Sequence, residues 1–197
     1  MINIIKYINR ANISPPKLII LDVDGVMNSG GKFYTQHECN VVSKSFNDLD
    51  FTAIKAFKAL GIRVIWLSGD ENINRDVATN RNIDFIFSRN SNGKHTPKAS
   101  FLPEIIKTYK VNKSDIWFVG DDVMDLSMAD KVSLSCCLSN SPQIMRSKFD
   151  ITIPRKSGDY VICWLVDFLC EYFEFEYPSE AEIAFQELNE RQKYSND

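Results

Sequence analysis

Histidine is almost missing from this chain, with only His37 and His95 among 197 residues. The five cysteines (Cys39, Cys136, Cys137, Cys163 and Cys170) form no Cys-x-x-Cys pair and join no histidine cluster, so a soft-metal site has no framework. His37 and Cys39 stand close together, but two further ligands are lacking nearby. The cysteines therefore read as reduced, mostly buried, small apolar residues. Basic clusters are also absent: the formal charge is -3 and the lysines and arginines are dispersed, which argues against nucleic-acid binding. Long apolar runs are missing as well. The N-terminal isoleucines, Ile2, Ile4, Ile5 and Ile8, are too few and too interrupted for a signal peptide or a membrane span, so a cytoplasmic protein with no membrane partner is expected. There is no internal repeat and no low-complexity segment. What remains is a chain of one-domain length, 44% hydrophobic, able to fill a core.

From Lys17 onward, short apolar runs alternate with helical patterns. Residues 18–23, 63–67, 85–87, 116–119, 133–138 and 151–153 read as strands. Runs this apolar are buried on both faces, which implies a parallel sheet covered by helices: a three-layer, Rossmann-like α/β fold. Phe51, Ile54, Phe57 and Leu60 mark a helix with a candidate cap at Asp50 and a stop at Gly61. Thr96-Pro97 and Ser141-Pro142 mark two further starts, each with proline at the first helical position. Residues 160–173 form a strongly apolar helix. Residues 28–47 alternate weakly around Gly30-Gly31 and residues 38–40, as a β-hairpin would. The organisation expected is a lead-in over 1–16 ending at Pro15-Pro16, a main domain over 17–170, and an acidic helical tail over 171–197.

The chemistry is concentrated where predicted strands end. Leu18 to Val26 is an apolar run broken by Asp22, Asp24 and Gly25, and alternation along a strand would put both carboxylates on one side. Such a pair costs free energy unless a cation or a reaction uses it. Ser68-Gly69 ends the second strand and suits a phosphate oxygen. Lys98, with Lys94 as a rival, stands at the start of the helix after Pro97, where a cation is disfavoured unless an anion faces it. Asp121, Asp122 and Asp125 follow the strand that ends at Val119-Gly120. Three acids within five residues need counter-charge, and hard oxygen ligands suit Mg²⁺.

In this order, Asp-x-Asp-Gly, Ser-Gly, Lys and Gly-Asp-Asp-x-x-Asp, the four elements resemble the haloacid dehalogenase-like phosphotransferase superfamily. The finer pattern, with a hairpin in place of a cap domain, is similar to the 3-deoxy-D-manno-octulosonate 8-phosphate phosphatases and their relatives acting on nine-carbon keto-acid sugar phosphates. That resemblance selects Lys98 over Lys94 by its distance from Asp121. It implies a Mg²⁺-dependent homotetramer in which Asp22 is the nucleophile and Asp24 the acid and base. Asp22, the backbone carbonyl of Asp24 and Asp121 would hold the metal. Ser68, Gly69 and Lys98 would hold the phosphate of a small phosphorylated sugar, with Asp122 and Asp125 behind them. The pattern departs from the branch where Asp70 stands in place of an arginine, where Phe51 follows Asp50, and in the segment from Lys156 to Cys163. These departures leave the phosphatase chemistry in place but detach it from any one sugar. The competing readings are a phosphatase of another small metabolite and a non-catalytic domain that keeps the fold; retention of both aspartates favours an enzyme.

Overall fold

The structure, a computed structural model, describes residues 13–36 and 40–192. Most of the expected lead-in, the turn near residues 38–40 and the His37/Cys39 pair lie outside the described residues. Six parallel strands form one sheet: β1 (Leu18–Leu21), β4 (Arg63–Ser68), β5 (Asp84–Phe87), β6 (Ile116–Val119), β7 (Leu134–Leu138) and β8 (Ile151–Ile153). Their spatial order is β5-β4-β1-β6-β7-β8. A separate antiparallel hairpin pairs β2 (Phe33–Tyr34) with β3 (Val41–Ser43).

Alternation along β1 divides the interior in two. Ile19 and Leu21 join one apolar cluster with residues of α1 (Asp48–Ala59) and α5 (Val161–Phe173), while Leu18 and Ile20 join another with residues of α3 (Leu102–Tyr109) and α4 (Gln143–Lys148). All four β1 side chains are fully buried, each contributing ~1.5–3 kcal/mol relative to exposure. Helices thus cover both faces, as the apolar runs predict. The acidic tail contains α6 (Glu180–Gln192), which lies against α1: Lys55 pairs with Glu187 at 3.1 Å, Lys58 pairs with Glu190 at 3.0 Å, and Ile183 packs on the first cluster. Among the described residues, no helix is long and apolar enough to cross a membrane.

Several local expectations are corrected. Asn47, not Asp50, caps α1, its side chain accepting from the Leu49 N–H at 3.0 Å. Asp50 lies inside that helix, fully buried, and its Oδ1 accepts from the Ile162 and Cys163 N–H groups at 2.9 and 3.2 Å. It therefore caps α5 from a distant part of the sequence, where the local flanking residue Tyr160 provides no side-chain cap. Burial raises the Asp50 carboxyl above its ordinary range. Pro97 is the residue flanking a 3₁₀ turn over Lys98–Phe101, with α3 starting only afterwards, and Thr96 supplies no cap. Pro142 likewise flanks α4 instead of opening it, and Ser141 Oγ accepts from the Leu138 N–H at 3.0 Å. The helix α2 (Asn72–Asn80) was not expected, because its sequence is polar apart from Ile73, Val77 and Ala78, of which the last two join the first cluster.

Candidate active site

The register brings the C-terminal ends of three neighbouring strands together. Leu21 pairs with Trp66 on one side and with Val119 on the other, so Asp22, Ser68 and the Gly120-Asp121 turn emerge side by side. Open α/β sheets place their sites at this edge. The strand stops at Leu21, so Asp22 and Asp24 lie on the turn beyond it instead of alternating within it. Asp22 faces Lys98 and Asp24 faces Lys44, and these separate cations are how the pair is tolerated.

Asp22 belongs to the first cluster. Lys98, buried at 3% exposure, places its Nζ 2.6 Å from Asp22 Oδ1 and 2.6 Å from Asp125 Oδ1. Ligand oxygens of Asp22, Asp121 and Asp125 lie within 4.8 Å of one another. Asp125 is committed twice, since its Oδ2 also accepts from the N–H groups of Asp121 and Asp122 at 3.0 and 3.4 Å. Asp121 Oδ1 is buried with no donor among the described residues. Glycine makes the close approach feasible: Gly25 has φ +94°, and a Cβ there would fall 2.0 Å from Asp121 Oδ2.

The electrostatics follow from three carboxylates sharing one ammonium. Burial pushes Asp22 up to about 6 against the pull of Lys98. Burial, then repulsion from Asp22 and Asp125, pushes Asp121 up to about 8. Burial works against the Lys98 ammonium, but Asp22 and Asp125 outweigh it and hold its pKa above the ordinary lysine value. An unpartnered buried oxygen, an all-carboxylate donor set and excess negative charge fit a divalent cation such as Mg²⁺. A stability test follows from the signs. Carboxyls whose folded pKa lies above the ordinary 3.8 stabilise the fold below that value and lose the contribution as pH rises through about 6 and about 8. The metal-free protein is therefore expected to melt at progressively lower temperature between about pH 4 and pH 8, with saturating Mg²⁺ flattening the slope. A metal-free melting temperature that rises across this window would contradict the cluster.

Asp24 belongs to a second cluster. Lys44 Nζ, with 1% of its side chain exposed, lies 2.8 Å from both Asp24 oxygens, 3.0 Å from Asp70 Oδ2 and 3.0 Å from Asn74 Oδ1. Lys32 bridges Asp70 at 2.6 Å and Asp24 at 3.4 Å. Asn28 Nδ2 donates to Asp24 Oδ1 at 2.9 Å. Burial alone would raise the Asp24 carboxyl, yet the bonds from Lys44 and Asn28 hold it below its ordinary range. Ser68 Oγ accepts from the Asp70 N–H at 3.2 Å and from Asn74 Nδ2 at 3.4 Å, which leaves its own proton to donate elsewhere. The Gly69 carbonyl accepts from Arg89 Nε.

Asp22, Lys98, Asp121 and Asp125 thus come together in one cluster, with Asp24 and Ser68 joined to each other through Asn74 in the second. Asp122 does not join either: it is exposed, and its side chain accepts from the Val123 N–H at 2.6 Å to cap the turn. Lys94 is exposed on the loop before Lys98. Lys32, Lys44 and Asn74 were not anticipated. Two lie on an inserted hairpin and one on a polar helix, and no motif marks them.

A family profile for haloacid dehalogenase-like hydrolases matches residues 34–132. The chain is 27% identical over 146 residues to the 3-deoxy-D-manno-octulosonate 8-phosphate phosphatase KdsC of Escherichia coli K12, covering 74% of this chain and 69% of that protein. Among solved structures, the cobalt-bound deoxy-D-mannose-octulosonate 8-phosphate phosphatase of Haemophilus influenzae is 25% identical, with a TM-score of 0.70 over 79% of this chain and 88% of that one. The fold is also shared with the enzyme of Moraxella catarrhalis solved with magnesium, phosphate and the KDO molecule, which is 22% identical with a TM-score of 0.70, over 79% and 86% of the two chains. With an acidic cluster at the edge of a six-stranded parallel sheet and these relatives, the chain belongs to the haloacid dehalogenase-like hydrolases, as a phosphatase resembling the KdsC branch.

Proposed function

We propose that the protein is a Mg²⁺-dependent phosphomonoester hydrolase of a small sugar phosphate, working through an aspartyl-phosphate. The substrate class is a keto-acid sugar phosphate, such as 3-deoxy-D-manno-octulosonate 8-phosphate or a nine-carbon acylneuraminate-type 9-phosphate. The observation that carries this reading is the buried Asp22-Lys98-Asp125 arrangement beside the unpartnered oxygen of Asp121. Asp22 attacks phosphorus and the ester P–O bond breaks, while Asp24, whose charged form Lys44 and Asn28 favour and which therefore takes up a proton only as the substrate binds, gives that proton to the departing sugar oxygen. Asp24 then takes a proton from water, which attacks the same phosphorus, and the Asp22–phosphorus linkage breaks to release inorganic phosphate. Ser68, the Gly69 N–H and Lys98 hold the phosphoryl oxygens. Asp22, the Asp24 backbone carbonyl and Asp121 would hold Mg²⁺, whose charge offsets the repulsion between nucleophile and phosphate. Asp125 orients Lys98 and the Asp121 turn, and Asp122 caps that turn.

A panel of phosphorylated sugars and small metabolites, assayed by phosphate release with Mg²⁺, tests the substrate class. The keto-acid sugar phosphates are expected to give the highest kcat/KM. A neutral sugar phosphate or a nucleotide turned over at least tenfold more efficiently would reassign the substrate, and no hydrolysis of any ester, p-nitrophenyl phosphate included, would favour the non-catalytic reading.

The hairpin supports a second part of the proposal, a homotetramer in the cytoplasm. Phe33, Tyr34 and Val42 are 66%, 57% and 55% exposed in the single chain, beside a site that no cap domain covers. Apolar side chains clustered so close to a small-molecule site suit burial against a neighbouring subunit, which would also wall the pocket. Light scattering should give about four chain masses, and Phe33→Asp should lower that number. A wild-type monomer at concentrations of full activity would refute the arrangement.

A further inference from the structure

The second cluster holds a buried ammonium and a buried amide for which the phosphoryl-transfer scheme has no use. Lys44 comes from the hairpin and Asn74 from α2, and both reach the same carboxylate, from 20 and 50 positions further along the sequence. Asp24 needs such support, because it lies past the end of β1 and the sheet's ladder does not fix it. An unsupported aspartate on a turn samples several rotamers, whereas proton transfer to a leaving oxygen requires one.

We infer that Lys44 and Asn74 are positioning residues that aim the Asp24 carboxylate at the leaving-group oxygen, with Asp70 holding Lys44 in place. This rests on the reading of Asp24 as the proton carrier. Lys44 contacts both Asp24 oxygens at 2.8 Å, which fixes the rotation of the carboxylate plane as well as its position. Asn74 is fully buried and uses both ends of its amide: Oδ1 accepts from Lys44 at 3.0 Å, and Nδ2 donates to Asp24 Oδ2 at 3.3 Å and to the Asp70 carbonyl at 3.0 Å. The same Nδ2 lies 3.4 Å from Ser68 Oγ, so one amide sets the spacing between the proton carrier and a phosphate-holding hydroxyl. Asp70 gives Lys44 a second anion at 3.0 Å, and Lys32 balances that anion at 2.6 Å. Two cations and two anions close on themselves. A lysine so enclosed has little freedom to reach a substrate, whereas Lys32, with 25% of its side chain exposed, faces solvent more openly. The hairpin thereby contributes to the chemistry from inside the fold, and not only as a wall.

The test compares kcat/KM, which reports the phosphorylation half-reaction, for an alkyl phosphate and for 2,4-dinitrophenyl phosphate in the full-length protein. A poor leaving group needs the proton and a good one does not. Asp24→Asn should lose ~10²- to 10⁴-fold on the alkyl ester and little on the dinitrophenyl ester. Lys44→Met and Asn74→Ala should show the same split at smaller size, about tenfold or more on the alkyl ester, and less than about twofold on the other. Asn74→Ala carries the test if Lys44→Met fails to fold, since it removes an uncharged side chain. A split in Asp24→Asn that is absent from both other variants overturns the positioning role alone. Equal losses on both esters, or a rise in KM confined to acidic sugar phosphates, also overturn it, the latter because Lys44 would then be reading the substrate. No split in Asp24→Asn overturns the proton-carrier reading, and the inference with it.

Discussion

Asp22→Asn is expected to fold normally and to lose at least ~10³-fold in kcat on p-nitrophenyl phosphate, the scale seen when a covalent nucleophile is removed. The amide matches the carboxylate in shape but lacks the charge that attacks phosphorus. Folding should survive because the side chain is buried and ionises only at about 6, so the wild-type protein already carries a cost for this anion in the absence of metal. Lys98 keeps its second partner, Asp125, at 2.6 Å. Circular dichroism and a thermal melt should therefore superimpose on wild type or shift upward. Retained activity above a few per cent would remove Asp22 from the nucleophile's place, whereas an unfolded variant would show that the carboxylate is structural.

Chelation should have an effect of similar size. Dialysis against EDTA is expected to bring phosphate release to background, Mg²⁺ to restore it, and Ca²⁺ to restore it poorly, because its larger and looser coordination holds oxygens at longer distances. The physical ground is the Asp121 oxygen left without a donor inside a cluster whose only cation among the described residues is Lys98. With three acids gathered around one ammonium, a bound dianionic phosphate would be repelled unless a divalent ion stood between them. Asp121→Asn removes one of the charged groups that would hold the ion and should raise the Mg²⁺ concentration needed for half-maximal rate by more than about tenfold, since even groups behind the ligands change metal affinity by that order. Full activity in chelator would contradict the metal centre.

The fold was legible because the strands advertise themselves. The runs at Leu18 and Ile116 are apolar on both faces, and only a two-sided parallel sheet buries such runs. The strand ends were legible for the same reason: where an apolar run breaks into Asp-x-Asp-Gly or Gly-Asp-Asp, buried backbone gives way to functional side chains. What escaped was set by distant contacts. Asp50 looked like a local helix cap because acids favour helix starts, but its carboxylate serves α5 more than a hundred positions away. The α2 helix escaped because six of its nine residues are polar and its three apolar ones, Ile73, Val77 and Ala78, make only a short stripe, of which Val77 and Ala78 join the first cluster. Lys44 and Asn74 escaped because a lone lysine on a hairpin and a lone asparagine on a polar helix look like solvated surface residues. Only the crossing of β3, α2 and the Asp24 turn in space turns them into a buried pair.

The measurement that bears most directly on this account is a rapid acid quench of the enzyme during turnover with Mg²⁺, followed by mass spectrometry of its peptides. One phosphoryl group is expected on the peptide containing Asp22, accumulating further in Asp24→Asn, where attack by water on the phosphoryl-enzyme is slowed, and absent from Asp22→Asn. Turnover at full rate with no phosphoryl-enzyme in either wild type or Asp24→Asn, or with the phosphoryl group on another residue, would contradict it.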